Sequence, residues 1–276
     1  MMVSGAVGVL VVLVPVLYAG LVVFYGVSFF GGKPGPRTRG TLLVAVTTGV
    51  HLLYLVLRTA EFDHPPITTV FELMTLLAFG IAVAYWYLEM RTGVQATGFF
   101  VLLLAFLFQA VSSLCIRDLS SIPPVLRSRL LGVHVASALL GYTAISLSAV
   151  HGLLYLLLYH QIKSTRWGLI YRRLPNLETL EKLSHKAEAF GFLMLTLAIV
   201  VGLVWLPRAF ESFSYGDPKL VGTLVIWLLY AGALLAKRRL GWRGRKTMIL
   251  SLVGFGFVFL SMTVINVFMK TFHDFS

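Results

Sequence analysis

LLGVHVASALLGYTAISLSAVHGLLYLLLYH, residues 130–160, contains no Lys, Arg, Asp or Glu over 31 positions. As an α-helix it extends about 46 Å, against a hydrocarbon core of about 30 Å. A helix that is apolar around its whole circumference belongs in lipid, and this one is long enough to continue past the bilayer on one side. The same texture recurs on either side of it. Coarse spans fall at Val7–Phe30, Thr41–Leu57, Ile67–Leu88, Phe99–Cys115, Leu130–His160, Ala187–Leu206, Leu220–Ala236 and Thr247–Met269. Gly/Pro and charge clusters separate them, such as GGKPGPRTRG (31–40) and KRRLGWRGRK (237–246).

Composition agrees. Of the 276 residues 58% are hydrophobic and 12% charged, with mean hydropathy +0.87; a soluble chain carries about 25% charge. Each span must satisfy its own backbone groups in lipid, so each is a helix. The expected fold is all-α: a polytopic membrane protein with eight transmembrane helices in a single domain over 1–276. The first run lacks a basic flank and exceeds the ~7–15 residues of a signal h-region, so it reads as a retained helix. The lone Cys115 excludes an internal disulfide and a CxxCH haem attachment.

The net charge of +12 is a topology signal. Sixteen of the 23 Lys and Arg lie in alternate connections, between spans 1–2, 3–4, 5–6 and 7–8. The positive-inside rule places these in the cytoplasm and both termini outside. Nucleic acid is therefore not an expected partner; the lipid bilayer is. After span five, Pro175 and Asn176 mark the start of a helix that runs through LETLEKLSHKAEAF into span six, making a cytoplasmic helical hairpin.

Ionisable side chains at membrane depth carry the functional reading, because each is costly there. His51, Tyr54 and Arg58 share a face of span two, and Glu72 follows near the same outer side. Glu72 reads first as an ion pair with Arg58 and second as a site wall. His134 sits one turn below the outer end of span five, on a helix whose Ala136, Ala138 and Gly141 permit close approach. His273 follows span eight, which holds Asn266, on the same side. Two neutral imidazoles on opposite sides of a flat pocket supply both axial positions of a haem iron. A hydrogen-bonded packing role is the alternative for each His. Outer-face arginines, Arg58 among them, suit haem propionates. His151 and His160 lie towards the cytoplasm, and His185 beside Glu188 reads as an interfacial cap. No HExxH, Walker, GxSxG or CxxC pattern signals hydrolysis, ATP use or thiol redox. Nor do broken helices or paired short repeats signal a transporter of a small solute, the third function class considered.

Several blocks, in order, resemble the integral-membrane cytochrome c assembly family, the CcsA/CcmC-like group, and within it the HemX/YpjD-type members. They are HLLYLVLRTAEFDHPPITTVFELMTLLAF (51–79), GVHVASALLGYTAI (132–145), LEKLSHKAEAFGFLMLTLAIVVGLVW (180–205), DPKLVGTLVIWLLYA (217–231) and INVFMKTFHDF (265–275). The resemblance implies a multi-pass protein of the cell membrane that handles haem at its outer face. It implies non-covalent b-type haem between His134 and His273, beside an external loop that here reads ESFSYGDPKL (211–220). Phe213, Tyr215 and Asp217 shape that pocket, with His51 and Arg58 as further contributors. The family's tryptophans are absent from this loop, and Leu235 stands where synthase members carry another histidine. The expected function is therefore non-catalytic haem binding. The alternative is a HemX-like regulatory or scaffold protein whose cytoplasmic loops meet a haem-biosynthesis enzyme or a cytochrome c assembly subunit.

Overall fold

The computed structural model describes residues 5–32, 37–116, 128–165, 167–209 and 216–261. These residues form nine helices and no strand: α1 Gly5–Phe30, α2 Arg37–Phe62, α3 Val70–Thr92, α4 Gly98–Cys115, α5 Arg129–Lys163, α6 Leu169–Arg173, α7 Leu177–Ala209, α8 Pro218–Arg239 and α9 Arg245–Leu260. Seven of them, α1–α5, α7 and α8, are long and apolar enough to cross a membrane. The eighth expected span, Thr247–Met269, overlaps α9, a helix of 16 residues; residues 262–269 of it lie outside the described residues. Asn266 and His273 lie outside the described residues, as do Phe213 and Tyr215.

The helices group into two compact units. Residues 1–121 and 172–175 form one, and residues 122–171 and 176–276 the other.

In the first unit, α1 buries Val7, Leu10, Val14, Tyr18, Leu21 and Tyr25, a stripe at helical spacing. Its opposite face presents Val9, Val12, Val16, Val23 and Val27 outward. Both faces are apolar, which is how a span between protein and lipid reads. At one end of this unit, Glu89 of α3 is fully buried among neutral donors. Tyr25 and Thr41 each donate to it at 2.6 Å, and Gln95 donates at 3.1 Å.

The second unit is built on the antiparallel pair α5 and α7. Gly141 and Gly191 bring the two backbones together: a Cβ on Gly191 would lie 3.1 Å from the Gly141 carbonyl oxygen, and one on Gly141 would lie 3.2 Å from the Leu195 nitrogen. Small residues at a crossing are the usual means of close packing in lipid. A serine cluster ties in a third helix. The Ser148 hydroxyl lies 3.0 Å from that of Ser184 and 2.9 Å from that of Ser251 on α9. Tyr230 of α8 donates to the Ser251 carbonyl at 3.2 Å.

Helix starts follow the expected chemistry. Asn176 caps α7 by accepting from the Thr179 N–H at 2.9 Å, and α7 then runs unbroken into the membrane span, as the sequence predicts. Asp217 caps α8, accepting from the Lys219 N–H at 2.8 Å with Pro218 in the first turn.

Candidate functional site

His134 is the best-placed candidate of the second unit. It is the sixth residue of α5, and its ring rests on α7, where Nδ1 donates to the Ala198 carbonyl at 2.8 Å. A carbonyl can only accept, so the proton is on Nδ1 and Nε2 keeps its lone pair. Gly202, one turn beyond Ala198, makes room: a Cβ there would sit 2.9 Å from Nδ1 and 3.0 Å from Cε1 of the ring. The imidazole is thus fixed in orientation and tautomer by main chain, an arrangement that metal-ligating histidines use. This is the fit a haem iron requires of an axial ligand: one oriented, unprotonated nitrogen.

The neighbourhood of His134 is the end of the unit where α5 begins, α7 ends and α8 starts. Leu131, Trp205 and Leu206 are buried together there, with Leu130, Val135, Ala209 and Leu220 packed on them. The buried Asp217 cap opens α8 three residues before Leu220, so the retained Asp-Pro-Lys turn comes to the same end as His134. The rest of the expected pocket, His273, Phe213 and Tyr215, lies outside the described residues.

His51 and Arg58 belong to the first unit and are tied into it. His51 is fully buried, with Nδ1 3.0 Å from the Tyr18 hydroxyl and Nε2 3.0 Å from Thr75 Oγ1. Thr75 in turn donates to Gln109 Oε1 at 2.7 Å, and Gln109 donates to Ser113 at 3.0 Å. Because the Thr75 hydroxyl proton points to Gln109, its oxygen accepts from the His51 Nε2–H, and His51 Nδ1 accepts from Tyr18. One relay therefore crosses α1, α2, α3 and α4, and it occupies both ring nitrogens of His51. Arg58 pairs with Glu72 at 3.0 Å, the first of the two readings of Glu72. Its guanidinium also lies 4.7 Å from the Phe62 ring centroid. Glu72 accepts from the Thr68 N–H and hydroxyl through its other oxygen, and Thr69 closes a capping box with it at the start of α3.

His185 differs from its expected role. It is not a terminal cap but lies about two turns inside α7, buried between two carboxylates. Nδ1 is 2.9 Å from Glu188, and Nε2 is 3.5 Å from Glu181 and 3.4 Å from the Thr247 hydroxyl. Glu181 also accepts from the Gly244 N–H at 2.9 Å, at the head of α9. Contacts across α7 and to α9, rather than helix capping, occupy this residue.

Sequence reasoning did not single out Ala198, Gly202, Tyr18, Thr75, Gln109 or Glu89. One of the missed features had a signal: Thr69-Val-Phe-Glu72 is the capping-box pattern. Ala198 had none, since a main-chain acceptor carries no residue-type signature.

The family model described as Cytochrome C assembly protein matches residues 67–273. The cytochrome c biogenesis protein CcsA of Guillardia theta is 26% identical across 85% of this chain and 83% of its own length. CcsA of Synechococcus elongatus is 25% identical across 91% of this chain and 90% of its own length. Protein HemX of Bacillus subtilis is 29% identical across 78% and 79%.

Proposed function

This chain belongs to the cytochrome c assembly protein family, is a multi-pass membrane protein, and we propose that it is a non-catalytic haem-binding member. In this reading eight helices cross the cell membrane, both termini are outside, and the whole chain acts as one membrane domain. The haem is b-type, held without covalent attachment at the outer face between His134 and His273. Phe213 and Tyr215 cover part of the porphyrin, and Asp217 fixes the turn that carries them.

One observation supports the reading above the rest: the Ala198 carbonyl accepts a hydrogen bond from the Nδ1–H of His134 and leaves Nε2 as the ligand atom. Gly202 keeps the ring seated. Haem, when bound, would supply a redox-active iron; the protein's part would be to hold the His134 and His273 ligand nitrogens unprotonated, oriented and away from bulk water.

The test is an absorption spectrum of the purified protein with and without added haem. A Soret band that weakens or shifts in His134→Ala and His273→Ala is the expected result. No band, or one unchanged in both variants, overturns the reading.

A second reading makes the chain a regulatory or scaffold protein that meets an assembly subunit or a haem-biosynthesis enzyme in the cytoplasm. It is favoured by the exposed aromatic pair Trp167 and Tyr171, whose ring centroids are 4.5 Å apart, in the connection between α5 and α7. Partner capture that survives loss of both histidines but fails in Arg172→Ala/Arg173→Ala supports this reading over the first.

A further inference from the structure

At the end of the second unit where α5 finishes and α9 begins, a half-open groove of about 550 Å³ is lined by Leu156, Tyr159, His160, Lys163, Ser164, Arg245, and Ile249. Its two ends differ in chemistry. Lys163 is the last residue of α5 and Arg245 the first of α9, so two cations and the His160 ring converge at a pair of helix ends. Leu156 and Ile249 lie about one to two turns deeper along the same helices and give the other end an apolar wall.

The ion pairs of the described residues include Arg58 with Glu72, and His185 with Glu181 and Glu188; neither Lys163 nor Arg245 takes part in these. Glu181 is already engaged by the Gly244 N–H. Lys163 and Arg245 are both exposed and line the same groove, whose lining holds no carboxylate. Like charges placed together cost free energy unless an anion joins them. Aromatic side chains mark the same level as a membrane–water boundary. Tyr159 stacks on Tyr155 with centroids 6.3 Å apart, and the Lys246 ammonium lies 5.4 Å from the Trp242 ring centroid.

We propose that this groove binds one anionic phospholipid, with the headgroup phosphate between Lys163 and Arg245 and an acyl chain along Leu156 and Ile249. A basic recess between helices at the boundary, opening onto an apolar wall, fits a phosphate on an apolar body. The His160 ring adds a polar group at headgroup level. The Ser164 hydroxyl donates to the His160 carbonyl at 2.8 Å, which keeps its oxygen available as an acceptor for a glycerol headgroup. This inference does not depend on the haem reading.

The experiment is titration of the detergent-purified full chain with short-chain phosphatidylglycerol and, separately, phosphatidylcholine, read by native mass spectrometry. Saturable binding of one phosphatidylglycerol over phosphatidylcholine is expected. Lys163→Ala and Arg245→Ala should each weaken it by about five-fold, the effect of one basic residue near an anionic headgroup. Lys163→Arg should retain it. Arg239→Ala removes the same single charge from α8 outside the groove, and thermal unfolding confirms that all variants fold. Equal loss in that control, or equal binding of both lipids, overturns the proposal. So does displacement of the lipid by inorganic phosphate alone, which would make the groove a site for a soluble anion.

Discussion

The His134 Nδ1–H donates a hydrogen bond to the Ala198 carbonyl across 2.8 Å, so main chain rather than a side chain fixes its tautomer. Substitution of acceptor side chains therefore cannot disturb it; only a change in the seat on α7 can. Gly202→Ala does so, since the added Cβ meets Nδ1 at 2.9 Å and Cε1 at 3.0 Å. The helix itself gains from Ala over Gly, by up to about 1 kcal/mol. Thermal stability should thus hold or rise while haem binding weakens by about ten-fold or the Soret maximum shifts. Haem titration beside a melting curve checks both halves.

The Arg58–Glu72 pair is almost wholly buried, with side chains 3% and 1% exposed. Removing one partner strands a charge and costs about 3–5 kcal/mol, whereas removing both charges together is near neutral. Arg58→Met should lower the unfolding midpoint sharply. Arg58→Met/Glu72→Gln should recover most of it, because Gln still completes the capping box with Thr69. Differential scanning of the two variants in one detergent decides it; a double variant no better than the single would refute the pairing argument.

The α5–α7 crossing depends on Gly191. A side chain there meets Ile145 Cγ1 at 2.9 Å and the Gly141 carbonyl oxygen at 3.1 Å, and the latter, being backbone, cannot rotate away. Gly191→Val should destabilise by about 1–3 kcal/mol. Gly132→Ala, on the same α5 but with nothing within 4 Å of the new atom, serves as the neutral comparison. Yields and melting points of the two variants separate local crowding from a general intolerance of glycine loss.

The orientation can be read with the protein's own chemistry. Cys115 is its single cysteine, exposed at the last residue of α4. If both termini are outside, as proposed, the connection after α4 is external as well. A membrane-impermeant maleimide should label Cys115 in intact cells, and Cys115→Ser should abolish the signal. Labelling only after lysis would invert the assignment.

Much of this architecture is legible before any coordinates. Runs of apolar residues give the spans, and Asn176, Asp217 and Pro218 mark where α7 and α8 begin, because capping is a local matter between a side chain and the next turn. Arg58 and Glu72 pair as expected because a short connection leaves them little else to meet. What the sequence hides is the rotation of one helix against another. His51 reaches Tyr18 on α1 and Thr75 on α3, partners 33 and 24 positions away, and nothing in its own neighbourhood names them. His185 misleads for a related reason: its neighbours in sequence suggest a cap at the membrane boundary, while in the folded unit Glu181 and Glu188 lie beside it inside α7. Span ends were also read short. α2 continues to Phe62 rather than stopping at Leu57, since Thr59 donates back to the Leu55 carbonyl and Arg58 is neutralised, so the polar stretch need not leave the helix.

α7 is one unbroken helix of 33 residues, about 49 Å of stiff rod. Near one end it is clamped through Glu181 to the head of α9; further along it crosses α5 at Gly191; beyond that crossing it carries the Ala198 carbonyl. Mechanically this is a lever with its fulcrum at the glycines and the imidazole's only oriented acceptor on the far arm. A pull on the Leu177 end therefore reaches His134 as a change in aim, without any side chain passing the message along.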